Sequence, residues 1–264
     1  MDGDMKHKRE EWLHFLKKAH DFRKERLKIE RKSPGPYCVL HLIPMPSTGQ
    51  ESVDIEFISK DYENFITFKE NHPIKPPRQN QNGLLIETNI EDRVGQPICS
   101  DEDYYYPRGW QRTQIFYSGA LEFVYAPPIQ GRKEKETKYL SLHTFEFFRL
   151  QINNFIRRAS DWGFSGAGVI GVTILYAKGY SIYTPIISSR YLLQLPHKIP
   201  DDANEVLNSA EGNIESEVRI ESIQNIKNDI DERVLQPVFD NVWRYFGFFE
   251  CDRNFRDGSW NLQP

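Results

Sequence analysis

Apolar residues recur every three or four positions over the first thirty residues. Trp12, Phe15, Ala19, Phe22 and Ile29 keep that spacing, Arg26 interrupts it, and His7–Lys32 contains neither glycine nor proline. The pattern predicts one amphipathic helix, closed by Ser33–Pro36. Beyond it the period shortens. Tyr37–Ile43 is an apolar run that stops at Pro44 and predicts a buried strand. Its alternation puts Tyr37, Val39, His41 and Ile43 on one face and Cys38, Leu40 and Leu42 on the other. Val53, Ile55 and Phe57 alternate with Asp54 and Glu56, which predicts a second strand with two carboxylates on its outer face.

A Pro- and Asn-rich loop over 71–83 precedes a short predicted strand at Leu84–Thr88. Trp110–Ala126 predicts a hairpin: two alternating runs meet at Ser118-Gly119, where glycine supplies a positive φ. Tyr139–Ser160 predicts a long aromatic-rich helix, Val169–Pro185 one or two buried strands, and Val218–Ile223 a further strand. Asp231–Phe248 predicts a helix interrupted near Pro237, and the tail places Trp260 after a turn. Helices and strands do not alternate strictly along this order. The expectation is an α+β fold with a largely antiparallel sheet, an N-terminal amphipathic helix, a long central helix and a C-terminal helix. Residues 1–32 form the basic helix in this reading, and 33–264 a single α+β domain.

Composition adds limits. A chain of 264 residues, 39% hydrophobic and 27% charged, can bury roughly 75% of its unfolded surface and needs no staple. Cys38, Cys99 and Cys251 are odd in number and widely spaced, with no zinc-type pair. Free thiols in a reducing, cytoplasmic setting are expected. No apolar run approaches ~18 residues, so neither a membrane span nor a signal peptide is expected. The charge is uneven. Residues 1–32 hold 11 lysines and arginines against 7 acids, and the remainder 23 against 31. The basic character lies in one segment.

Motifs for catalysis are absent or fail in context. Gly166, Gly168 and Gly171 spell G-x-G-x-x-G, but a helix precedes and a strand follows, the reverse of what places a pyrophosphate on helix amides. Ser165 sits in G-F-S-G-A-G, where Ala167 occupies the second glycine of a nucleophile elbow. Cys38 and His41 project to opposite faces of one strand and cannot share a metal ion. No catalytic residue, metal or cofactor is assigned.

Three functional readings follow. The first is a non-catalytic module that binds a protein partner or a small ligand, with Tyr105, Arg108, Trp110 and Arg112 of the aromatic loop among its contacts. His41, Glu122 and Trp260 complete that candidate set. The second is nucleic-acid binding by the N-terminal helix through Lys17, Lys18, Arg23, Lys24 and Arg26, because phosphate binding needs several cations on one face. The third is a hydrolase or nuclease with His41 as general base near Glu122.

Several stretches, taken in order, carry a family likeness: the arginine-bearing helix from Phe22, Cys38–Met45, Gln114–Val124, Gly171–Tyr180, and Phe239–Phe248 with Asp257–Asn261. Together the chain resembles the C-terminal accessory region of bacterial proteins that carry an Alba-type, Schlafen-like domain of predicted DNA-binding function. His41 and Pro44 match its strand motif, Gly119 and Glu122 its hairpin, and Trp243, Gly247 and Trp260 its end. Tyr117 stands where that hairpin usually has arginine. The Alba-type domain itself has no counterpart here, so its nucleic-acid chemistry does not transfer. The resemblance implies a stand-alone accessory module, a sensor or interaction unit linked to bacterial regulation or mobile-element defence.

Overall fold

The computed structural model describes residues 2–28, 36–45, 52–60, 62, 76–90, 109–126, 138–141, 143–159, 161–162, 164, 166–177, 180–183, 214–220, 235–245, 255–256 and 259–260. Helix α1 (Asp2–Arg26) leads into β1 (Tyr37–Pro44), a short helix α2 (Ile55–Ser59) and strands β2 (Arg78–Asn80) and β3 (Gly83–Ile90). Strands β4 (Gly109–Phe116), β5 (Leu121–Ala126) and β6 (Lys138–Ser141) precede helix α3 (His143–Ala159). Then come β7 (Gly168–Leu175), β8 (Tyr180–Tyr183), β9 (Ile214–Ile220), helix α4 (Gln236–Arg244) and the short pair β10 (Phe255–Arg256) and β11 (Ser259–Trp260).

Seven strands form one sheet in the order β2-β3-β4-β5-β1-β7-β9, and every pairing in it is antiparallel. The mixed helix and strand content fits the expected α+β class. Strand β1 lies inside the sheet between β5 and β7, and all eight of its residues are buried. Its two faces divide as the alternation predicts. Cys38, Leu40 and Leu42 join Phe123, Val172, Phe148, Phe155, Phe239 and Trp243 in the main core, which α2, α3 and α4 help to fill. Ser216 Oγ donates to the carbonyl of Val238 at 2.8 Å and ties β9 to α4. On the opposite face Phe15, Ala19 and Ile43 pack with Phe116 and Val169, with Trp12, Leu16 and Phe22 of α1 around them.

Several local expectations are corrected. Residues 53–57 do not form a strand. Asp54 accepts hydrogen bonds from the amides of Glu56 and Phe57 at 2.9 and 3.0 Å, the geometry of a helix N-cap. Ile55 and Ile58 then enter the core while Phe57 stays exposed, a spacing of three in place of two. Part of the loop over 71–83 is strand β2, paired with β3 across a turn in which Asn80 Oδ1 accepts from the amide of Asn82. Tyr139–Ser141, expected as helix, pair with β8 as a strand. Pro237 falls in the first turn of α4, Leu235 just before it already has helical φ and ψ, and the earlier part of the expected helix, 231–234, lies outside the described residues. Strand β9 also begins at Ile214, ahead of the expected Val218.

The hairpin is present in the predicted place. Gly119 has φ 79°, and its amide bonds the carbonyl of Phe116 at 2.9 Å. A Cβ there would lie 2.1 Å from the Phe164 ring. The turn therefore needs glycine both for backbone conformation and for close packing.

Candidate functional site

Strand register aligns polar residues across the α1 face of the sheet. Gln114 stands opposite Glu122, Glu122 opposite His41, His41 opposite Gly171, and Gly171 opposite Glu217. This row crosses five strands, and α1 lies on it.

Glu122 is the centre. It is fully buried, and both its oxygens are occupied. Arg26 donates to it through Nε and Nη2, each at 2.8 Å, and Arg112 Nη2 donates at 2.6 Å. His41 Nε2 lies 3.3 Å from Glu122 Oε2, close enough for the Nε2–H tautomer to donate. The two-point contact from Arg26 fixes orientation as well as charge. Arg26 also lies over the Phe116 ring, 5.2 Å from its centroid. Burial alone would raise the Glu122 carboxyl. The hydrogen bonds from His41 and Arg26, with the charge of Arg112, outweigh it and hold the carboxyl well below the ordinary carboxylate range.

His41 is fully buried as well, its ring edge-on to Phe22 with 5.9 Å between centroids. Burial pushes its imidazole below the ordinary value, against the pull of Glu122; Arg23 and Arg26 push the same way as burial. The histidine is therefore neutral at pH 7, and the permanent cations Arg26 and Arg112 balance Glu122.

Arg23, one turn before Arg26, makes the second contact with the row. It pairs with Glu217 of β9 and donates to Thr173 Oγ1 at 3.2 Å. Gly171 makes room for it, since a Cβ there would sit 2.3 Å from Arg23 Cζ and Nε. The third glycine of the G-x-G-x-x-G string is thus a slot for a guanidinium on a strand. Beyond Arg112, Arg78 pairs with Glu87, which stands opposite Arg112 in the β3–β4 register.

The predicted residues separate into groups. His41, Arg112 and Glu122 meet at one point. Trp110 lies on β4 and Trp260 on β11, while Tyr105 and Arg108 fall outside the described residues. Lys17, Lys18 and Lys24 are exposed on α1. Arg23 and Arg26, expected with them as cations on one phosphate-binding face, are corrected: Arg23 is only 4% exposed, and the Arg26 side chain is 28% exposed with its guanidinium on Glu122. Helical spacing puts both on the buried side, where carboxylates from β9 and β5 meet them.

Sequence reasoning did not assign roles to Gly171, Thr173 or Glu217. One signal did exist. Arg26 interrupts an apolar stripe, and a cation on a buried stripe requires a carboxylate opposite it. Asp54 and Glu56, which share a face in the predicted strand, are instead a helix cap and its neighbour.

Chemically, the arrangement holds charge in place. A carboxylate with four donors has no lone pair directed at a substrate, and a sealed imidazole has no route to one. Burial pushes the Cys38 thiol upward, away from thiolate character, so it is a core residue. Among the described residues, no group of three or more His, Cys, Asp and Glu converges as a metal site, and no helix is long and apolar enough to cross a membrane. Comparisons with family models, curated proteins and solved structures gave no match.

Proposed function

We propose that the chain is a non-catalytic binding or sensor module, a stand-alone relative of the Schlafen-associated accessory region, acting in bacterial regulation or mobile-element defence through a protein partner or small ligand. The observation that supports this reading is the saturation of Glu122 by Arg26, Arg112 and His41 beneath α1. The pair that most resembles an acid–base couple is used to seat a helix. Isothermal titration against nucleotides and related small ligands, with pull-down from a host extract, is expected to give a saturable binder. A hydrolytic or nuclease activity of the purified protein, lost in a folded His41→Gln variant, would overturn the proposal.

A second reading is nucleic-acid binding by the outer side of α1, supported by the exposure of Lys17, Lys18 and Lys24. Affinity for a DNA or RNA duplex would then fall steeply with salt, and K17A/K18A/K24A would reduce both affinity and salt slope. Binding insensitive to all three substitutions removes this reading.

A further inference from the structure

Helix α1 is a lid over a histidine. Phe22 meets the edge of the His41 ring, while Arg23 and Arg26 bring guanidiniums from the same helix. Glu122 faces it from β5, with Arg112 of β4 on the far side of that carboxylate. From β7 come Gly171 and Thr173, neither titratable, and from β9 comes Glu217, held by Arg23. His41 Nε2 has Glu122, but its buried Nδ1 has no hydrogen-bond partner among the described residues. An imidazolium carries an N–H at both nitrogens and requires two acceptors. Only one acceptor is provided, and it already balances two guanidiniums.

We infer that α1 docks on the sheet only while His41 is uncharged, so that acidification loosens this helix ahead of the sheet beneath it. The sign follows from linkage. A base whose affinity for protons is lower in the docked state takes up its proton on undocking. Docking is thus complete above the ordinary histidine value of about 6.5 and weakens as pH falls below it. Glu122, held well below the ordinary carboxylate range by Arg26 and Arg112, stays charged throughout that window. His7, His14 and His20 lie on the exposed side of α1. The inference does not depend on what the module binds.

Pulsed hydrogen exchange on the full chain tests it, with pulse lengths scaled to the intrinsic exchange rate at each pH. Amides of α1 from Trp12 to Arg26 are expected to lose up to about tenfold in protection per pH unit below about 6.5, while β7 keeps its protection. His20→Gln should follow the wild type, and His41→Gln should be flat between pH 8 and pH 5. A flat wild-type profile, loss of α1 and β7 in step, or an unchanged fall in His41→Gln would each overturn the inference. Should His41→Gln fail to fold, imidazole nitrogen resonances of the wild type decide the matter. A neutral Nε2–H ring at pH 6 is expected, and an imidazolium beneath a still-protected α1 overturns it.

Discussion

The two faces of the seven-stranded sheet are built from the same strands by different means. Toward α3 and α4, β1 offers Cys38, Leu40 and Leu42, which meet Phe148, Phe155, Phe239 and Trp243. Toward α1 it offers Val39, His41 and Ile43, with Glu122 on one side and Thr173 on the other. The first face gains from area, at roughly 25 cal/mol per Å² of apolar surface removed from water, and this force has little direction. The second has smaller apolar clusters and adds two arginine–carboxylate contacts one helical turn apart. Such contacts stabilise less than their number suggests, because burying charge costs solvation. They do fix where α1 lies along the strands, since a helix shifted by one turn would leave Arg26 and Glu122 buried without each other.

Substitutions on the two faces should therefore differ in size and in reach. Phe155→Ala, on the hydrocarbon side, is expected to cost about 3–5 kcal/mol. Urea unfolding should show it as a lower midpoint in every probe at once. Glu122→Gln removes the negative charge, and one of the two acceptor oxygens, shared by two guanidiniums. A loss of about 3 kcal/mol is expected, at the low end for a broken buried pair, because the Arg26 and Arg112 side chains keep 28% and 17% exposure. Hydrogen exchange should rise in α1 more than in β7; equal rises would mean that the charged side is no more local than the core.

Gly171→Ala sharpens the comparison further. Its Cβ would displace Arg23 without touching Glu122. About 1–2 kcal/mol is expected from the overpacking, with α1 protection reduced and Arg26 still in place. A neutral result would show that Arg23 reseats without loss. Smallest of all, Lys17→Ala and Lys24→Ala lie on the solvated side and should stay within about 0.5 kcal/mol of the wild type in the same urea assay.

Much of the scaffold was legible from local rules. The stripe of Trp12, Phe15, Ala19 and Phe22 gave α1, and period-two alternation divided the faces of β1. Gly119 marked the hairpin turn. Local rules failed where two periods fit the same letters. Val53, Ile55 and Phe57 suit a strand, but Val53, Ile55 and Ile58 suit a capped turn of helix, and Asp54 decides between them through its hydrogen bonds. The candidate site was half visible. His41 and Glu122 stood out as polar residues in apolar strands, but they lie 81 positions apart in the chain, and Arg26 lies 96 positions from Glu122.

Sequence by itself determined the α+β class, the face on which each β1 side chain lies, and the separation of Cys38 from His41. These follow from the fixed periods of helix and strand, which act over a few residues. Only the tertiary structure decided that Arg23 and Arg26 turn inward, that Gly171 is a slot for a side chain, and that His41 and Glu122 are covered by α1. Each of those outcomes depends on which carboxylate a guanidinium meets in space, and strand order and register set that meeting across the whole sheet.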